Sequence, residues 1–203
     1  MSELTSDSHR VAEVRRDTAE THIRVRIDLD GAGTSKLATG IGFFDHMLDQ
    51  LARHGLIDLE IEAQGDLHID GHHTVEDVGI TVGETFREAL GDKAGIRRFA
   101  SGLFPLDEAL VEVALDLSGR PYTVYDVPFG EVLPLGDPPF NPEMAEHFWQ
   151  SFATAAGITL HVHKRAGRNT HHVVEATFKG VARCLRDAVR VEGTGVPSTK
   201  GSL

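Results

Sequence analysis

Apolar and polar positions alternate with a period of two in four stretches of the chain, which predicts β-strands. Their apolar positions are Ile23, Val25, Ile27 and Leu29; Ile57, Leu59 and Ile61; Val111, Val113, Leu115 and Leu117; and Ile158, Leu160 and Val162. Helical spacing instead predicts two amphipathic helices, HHTVEDVGITVGETFREAL at 72–90 and HHVVEATFKGVARCLRDAV at 171–189. The chain therefore combines helices with sheets.

The two amphipathic helices match each other at an offset of 99 residues, from 72 to 171. Upstream of each lies a second matching stretch, DHMLDQLARHGLIDLEIEA from Asp45 and EHFWQSFATAAGITLHVHK from Glu146, offset by 101 residues. In these stretches we expect a helix that ends near Gly55 or Gly157, and a start at Asn141-Pro142 for the second. The chain is thus an internal duplication with halves at 10–95 and 96–190, followed by a tail at 191–203.

The composition of the chain limits which binding partners and which cellular compartment are expected. The 203 residues carry a formal net charge of -11, which disfavours nucleic acid and anionic membranes, so an anionic ligand needs a local cluster of Lys and Arg. Cys184 is the single cysteine, which rules out an internal disulfide. The sequence has neither an apolar run long enough to span a membrane nor a signal peptide. We expect a cytoplasmic protein.

Each amphipathic helix opens with the pattern His-His-x-x-Glu, which predicts a metal site. Residues four apart share a helix face, so His72 with Glu76 and His171 with Glu175 are each placed to bind one ion. The neighbouring residues, His73 and His172, point about 100° away on a helix of 3.6 residues per turn. Two ions are therefore predicted.

The upstream helices add one histidine each, His46 and His147, at equivalent positions. The total is six imidazoles and two carboxylates, or three plus one for each ion. This donor set suits Mn, Fe, Zn, Ni or Co, and four protein ligands leave two octahedral positions open for a substrate. Five other histidines lack such support and are expected to be surface or core residues: His9, His22, His68, His161 and His163.

The ligand pattern alone leaves other interpretations open. A di-metal hydrolase is one, although such sites often bridge two ions with a carboxylate, and here imidazoles predominate. A non-catalytic structural or storage protein whose parts are linked by metal ions is another interpretation. The chain has no P-loop and no G-x-G-x-x-G motif, so nucleotide-dependent chemistry is not indicated.

Five motifs together carry a resemblance to a known family: DHMLDQLARHG, GDLHIDGHHTVEDVGI, LDLSGRPY, HHVVEATFKG and GVPSTKG. In this order they resemble imidazoleglycerol-phosphate dehydratases, lyases of histidine biosynthesis, over nearly the whole chain. The resemblance implies dehydration of D-erythro-imidazole glycerol phosphate to imidazole acetol phosphate. It also implies two Mn(II) per active site, which hold the substrate imidazole and stabilise an imidazolate-like intermediate.

The resemblance further assigns roles to residues outside the metal pattern. It implies that Glu20 transfers a proton and that Gln50 and His54 line the substrate pocket. The substrate phosphate is expected to bind Arg98, Arg120, Lys179, Ser198 and Lys200. Arg97 precedes Arg98, and we choose Arg98 as the phosphate ligand.

The resemblance also implies the fold and the assembly. It predicts two pseudo-symmetric α+β halves of the ribosomal protein S5 domain 2-like type, each a four-stranded sheet with two helices on one face. The chain is expected to form a homo-oligomer, trimers that assemble to 24 copies. Metal ligands from different chains would complete each site.

Overall fold

The computed structural model describes residues 9–130 and 133–201. The first half contains β1 (Val11–Asp17), β2 (Thr21–Asp28), β3 (Ser35–Ala38), α1 (Gly42–Gly55), β4 (Asp58–Gly65) and α2 (His72–Leu90). The second half contains β5 (Phe99–Leu106), β6 (Ala109–Asp116), β7 (Tyr122–Asp126), α3 (Met144–Ala156), β8 (Thr159–Ala166) and α4 (Thr170–Ala188). The same order of elements occurs twice.

The two sheets also share one topology. Their strand orders are β1-β2-β4-β3 and β5-β6-β8-β7, with parallel pairing only between β3 and β4 and between β7 and β8 in the described parts of the chain. The prediction of two α+β halves, each with a four-stranded sheet and two helices, is confirmed. The strands predicted from alternation are the central ones, β2, β4, β6 and β8.

The four helices lie between the two sheets. Helices α1 and α2 pack on the first sheet and α3 and α4 on the second, while α2 contacts α3 and α1 contacts α4 across the halves. One continuous hydrophobic core results, and its largest fully buried side chains include Phe44, Phe86, Phe148 and Trp149. Because each helix pair joins the two halves, side chains of both halves meet at the helix ends.

Glycines bring α2 very close to α3. A Cβ at Gly79 would lie 2.9 Å from the Phe148 carbonyl oxygen, and one at Gly83 would lie 2.6 Å from that of Phe152. Real Cβ atoms do not approach a carbonyl oxygen so closely, so glycine is required at both positions for this packing. The α2/α3 pair is therefore fixed by shape.

Side-chain oxygens hold the first turns of α2 and α4. Asp70 accepts a hydrogen bond from the His72 amide at 2.8 Å, and Asn169 accepts one from the His171 amide at 3.0 Å. Such capping satisfies amides that a helix leaves unpaired and fixes where the helix begins. Helix α3 begins at Met144, two residues later than predicted, because Asn141 and Pro142 form a turn in front of it.

No helix in the described ranges is long and apolar enough to cross a membrane.

Candidate metal centre and anion cleft

Histidines of both halves converge with a carboxylate where α1 meets α4. Glu175 Oε2 lies 2.9 Å from His171 Nε2 and 3.4 Å from His46 Nε2. Ligand atoms of these three residues all lie within 4.8 Å of one another. We call His46, His171 and Glu175 the His46 cluster.

Lys179 forms an ion pair with the carboxylate of this cluster. Its Nζ lies 2.5 Å from Glu175 Oε1, which leaves Oε2 facing the two imidazoles. Burial raises the pKa of Glu175, but hydrogen bonds from Lys179 and His171 outweigh burial, so the pKa lies below its ordinary value. A charged carboxylate oxygen beside two imidazole nitrogens is a donor set that fits Mn, Fe, Co, Ni or Zn.

The equivalent group lies where α2 meets α3. The rings of His72 and His147 are 4.7 Å apart between centroids, and Glu76 follows His72 by one helical turn. We call these three residues the His72 cluster. Among the described residues, the Glu76 carboxylate forms no hydrogen bond or ion pair, and the ligand atoms of His72, Glu76 and His147 do not all lie within 4.8 Å of one another. The residue one turn further along is Ile80, not a lysine. The second carboxylate is therefore less restrained than Glu175.

The second histidine of each pair, the outer histidine, has different contacts from its neighbour. His73 contacts Asp66 and His172 contacts Glu108, and neither carboxylate belongs to the two clusters. Within one chain, the His46 cluster therefore holds two imidazoles and one carboxylate, and His72 and His147 supply a second pair of imidazoles. The three imidazoles that the count assigned to each ion do not meet within one chain.

Carboxylates that the sequence did not indicate hold these outer histidines. His73 Nδ1 lies 2.9 Å from Asp66 Oδ2, and His172 Nδ1 lies 2.7 Å from Glu108 Oε2. These contacts raise the pKa of both histidines, and His172 lowers the pKa of Glu108 to about 2. A carboxylate on Nδ1 orients the ring and leaves Nε2 to bind a metal. Glu108 precedes His172 by 64 residues, so no local motif could have revealed it.

Glu20 lies beside the outer histidine of the first half. Its Oε2 is 3.7 Å from His73 Nδ1, and its side chain is about half exposed. Glu20, Asp66 and His73 form a second group of candidate ligands whose atoms lie within 4.8 Å of one another. Glu20 is thus adjacent to α2 and open to a ligand.

A separate cleft holds most of the expected phosphate residues. Its volume is about 560 Å³, and Arg98, Arg120, Pro197, Ser198, Thr199 and Lys200 line it. Arg98 donates to both oxygens of Asp116, at 2.6 and 3.0 Å, and to the Pro197 carbonyl oxygen at 2.7 Å. Arg97 lies apart from the cleft, 4.0 Å from Glu192. The tail therefore forms one wall of a basic cleft.

The remaining expected substrate residues lie beside the His46 cluster, not in the cleft. His46, Gln50 and His54 are spaced four apart along α1, and Lys179 contacts Glu175. Burial lowers the pKa of His54, and the charges of Lys179 and Arg183 lower it further. Within one chain, the structure does not bring Lys179 to the other four phosphate candidates.

The remaining histidines lie apart from both clusters. Three contact aspartates of the sheets: His9 with Asp28, His22 with Asp17, and His163 with Asp126. His161 packs near the ring of Tyr122, and His68 is exposed.

Known proteins match this arrangement over nearly the whole chain. The family model described as imidazoleglycerol-phosphate dehydratase matches residues 39–185. A relative of that name from Methylibium petroleiphilum is 58% identical over 202 residues, 98% of this chain and 100% of the relative. The crystal structure of the Staphylococcus aureus enzyme matches with a TM-score of 0.79 at 34% identity, covering 89% of this chain and 99% of that chain. The Pyrococcus furiosus enzyme, solved with (S)-C348, matches with a TM-score of 0.81 at 37% identity, covering 94% and 100%.

Proposed function

Because the chain belongs to the imidazoleglycerol-phosphate dehydratase family, lyases of histidine biosynthesis, we propose that it converts D-erythro-imidazole glycerol phosphate to imidazole acetol phosphate. Membership of a lyase family sets aside the hydrolase and storage-protein interpretations. The observation that carries the proposal is the His46 cluster, whose two imidazoles and one carboxylate have ligand atoms within 4.8 Å of one another, together with the paired rings of His72 and His147 at the equivalent place in the duplication. The reaction takes place in the cytoplasm.

Two Mn(II) per active site are the cofactors in this proposal. His46, His171 and Glu175 hold one ion, and His72, Glu76 and His147 hold the other. When bound, the ions supply positive charge beside the substrate imidazole and favour loss of the proton from the adjacent carbon. The convergence of the donors of the His46 cluster within 4.8 Å and the lowered pKa of Glu175 support this assignment.

Glu20 is the group that transfers the proton. A carboxylate can accept a proton from carbon or deliver one to the departing hydroxyl group, provided that it reaches the substrate. The position of Glu20 Oε2, 3.7 Å from His73 Nδ1 and partly open to solvent, supports this role. Gln50 and His54 bind the polar middle of the substrate, since they extend along α1 from His46.

The phosphate binds in the cleft formed by Arg98, Arg120, Ser198 and Lys200. Arginine guanidinium groups match phosphate oxygens, and the cleft concentrates positive charge in a protein of net charge -11. Residues 191–203 act as a phosphate-binding tail to two halves at 10–95 and 96–190. Lys179 reaches the phosphate of a site shared with another chain, because it lies at the α1/α4 face of its own.

The shared site requires an assembly, and we propose the family's arrangement of trimers in a particle of 24 copies. His73 and His172 face away from their own clusters, with Nδ1 held by Asp66 and Glu108. Each therefore offers Nε2 to an ion of a neighbouring chain and completes three imidazoles per ion. Metal binding then stabilises the particle, because it links ligands of different chains.

Metal-stripped protein tests this function directly. Turnover of imidazole glycerol phosphate is followed as the enol of the product in alkali, with and without manganese, while light scattering reports the particle size. We expect manganese to restore both turnover and a large particle. In Glu20→Gln, the particle should form and turnover should stay absent. A particle that wild-type protein forms without turnover would overturn the proposal and indicate a metal-clipped scaffold.

A further inference from the structure

Lys93 is a lysine whose side chain is almost entirely buried. It lies in the connection between α2 and β5, and only 6% of its surface is exposed. Within the described ranges, its ammonium group forms no hydrogen bond and no ion pair within 4.0 Å. Lysine is almost never fully buried unless it is paired, because removing its charge from water costs free energy. Its position therefore needs an explanation.

The charges around Lys93 are mostly of its own sign. Arg87, Arg98 and Arg120 all act on it electrostatically, against one carboxylate, Asp116. Both oxygens of Asp116 already accept hydrogen bonds from Arg98. Positive charge is thus in excess at this end of the molecule.

The titration of Lys93 agrees with this description. Burial lowers the pKa of Lys93, Asp116 opposes that shift, and Arg98 and Arg120 add to it. An additional anion near these groups would stabilise the protonated lysine.

The segment that carries Lys93 is tied to the tail that forms one wall of the cleft. The Gly95 amide donates to the Gly195 carbonyl oxygen at 2.8 Å, and the Gly95 carbonyl oxygen accepts from the Glu192 amide at 2.8 Å. Lys93 and Arg98 both have left-handed backbone conformations, with φ of 61° and 75°, which residues other than glycine seldom adopt. The fold therefore holds Lys93, at a conformational cost, on the segment that joins the tail and leads to Arg98.

We propose that Lys93 is a positioning residue of the anion cleft: its charge adds to that of Arg98 and Arg120 and strengthens phosphate binding from outside the set of residues that line the cleft. The inference rests on the proposed function only in taking the substrate's phosphate as the natural anion. Because the Lys93 side chain is almost entirely buried, its position is fixed and solvent screens its charge less than that of an exposed lysine, so it attracts an anion in the cleft more strongly.

Lys93→Met tests this inference in full-length, manganese-loaded protein, because methionine keeps the length of the side chain and removes the charge. Inorganic phosphate is the probe, and calorimetry gives its affinity. Because one positive charge near the cleft is removed, we expect binding about tenfold weaker than in wild type. KM for the substrate should rise by the same factor with kcat unchanged. The matched control is Lys36→Met, whose side chain is 81% exposed; it should bind phosphate as wild type does.

A purely structural role predicts a different pattern. Lysine near the end of α2 could stabilise the helix dipole, and its loss would then lower Tm and leave phosphate affinity unchanged. The inference predicts the reverse, an unchanged or higher Tm with weaker binding, because Lys93→Met removes no ion pair of the described structure and relieves repulsion from the neighbouring arginines. Phosphate affinity of Lys93→Met within about twofold of wild type overturns the inference.

Two further measurements keep the test decisive. If Lys93→Met folds poorly, the phosphate-induced rise in Tm is compared for Lys93→Arg and Lys93→Gln, since each shift refers to one variant with and without ligand. The inference expects a wild-type shift for arginine and a smaller one for glutamine; equal shifts overturn it. Phosphate binding does not depend on turnover, so a wild-type protein that lacks dehydratase activity would overturn the proposed function alone.

Discussion

The two helix pairs between the sheets arise from one repeated unit, yet they pack differently. In the α2/α3 pair, Gly79 and Gly83 allow the backbone of α3 to approach closely. The corresponding residues of α4, 99 positions later, are Phe178 and Ala182. The α1/α4 pair therefore lacks the glycine contacts that bring α2 against α3.

Polar residues take the place of close packing in the α1/α4 pair. Gln50 and His54 of α1 correspond to Ser151 and Ala155 of α3, and Lys179 of α4 corresponds to Ile80 of α2. Both pairs nevertheless keep the same set of two imidazoles and one carboxylate. The comparison shows that duplication preserved the candidate metal ligands in the sequence, whereas the neighbouring positions diverged toward close packing in one pair and toward polar side chains in the other.

The largest expected effect is the loss of turnover when a candidate metal ligand, the feature that both pairs share, is removed. His72→Ala and His171→Ala should each lower kcat at least about a hundredfold, because losing a direct ligand costs more than losing a residue that orients one. Turnover at saturating manganese measures both. If His72→Ala kept full turnover while His171→Ala did not, the two clusters would not be equivalent.

A change at Gly83 tests the packing difference. Gly83→Ala should lower the free energy of unfolding by about 1–3 kcal/mol, because its Cβ would lie 2.6 Å from the Phe152 carbonyl oxygen. Gly42→Ala is the matched control, since a Cβ there has no neighbour within 4 Å. Urea unfolding at one fixed chain concentration gives both values. Equal stability of the two variants would show that the close approach of α2 and α3 is not required.

A substitution of Lys179 tests the polar side chains that distinguish the α1/α4 pair. In Lys179→Met, Glu175 loses a contact that lowers its pKa, so its pKa should rise. A lowered pKa keeps the carboxylate charged as pH falls; without Lys179, manganese binding should therefore fail at a pH higher by about one unit. Isothermal titration between pH 4 and pH 7, roughly the range in which carboxylates titrate, detects this shift. Ile80→Met, at the equivalent position of α2, should leave the pH dependence unchanged, and a shift there of similar size would break the comparison.

The smallest expected effect concerns His54. Arg183→Gln should raise the pKa of His54, because the charge of Arg183 lowers it. The change should be roughly 0.3 unit, since Arg183 is exposed and solvent screens its field. Glu84→Gln, at the equivalent position of α2, is the control. An NMR titration of the His54 ring follows both variants, and a shift of zero in Arg183→Gln would show that the charge of Arg183 does not act on His54.

Periodicity was sufficient for the centre of the fold and insufficient for its edges. Central strands such as β2 and β6 bury one face against helices and therefore alternate clearly. Strand β3 has only four residues, and β5 contains Gly102 and Pro105, which weaken a strand pattern. Those edge strands followed from the family resemblance and not from local sequence.

The candidate ligands could be predicted from sequence, but their grouping could not. Four-residue spacing placed Glu175 with His171, whereas the contact of His46 with Glu175 depends on the packing of α1 against α4. Asp66 and Glu108 gave no signal because their partners lie in other elements or far along the chain, and the burial of Lys93 depends on tertiary packing. Lys179 illustrates the same limit, since its distance from the anion cleft depends on tertiary structure.

Counting bound manganese tests the central claim most directly. Metal-stripped protein is reloaded, freed of excess ion and analysed for manganese per chain, for wild type, His72→Ala and His171→Ala. The account predicts two ions per chain in wild type and one in each variant, because each cluster holds its own ion. A single ion in wild type, or the loss of both ions in one variant only, would contradict two duplicated and equivalent metal sites.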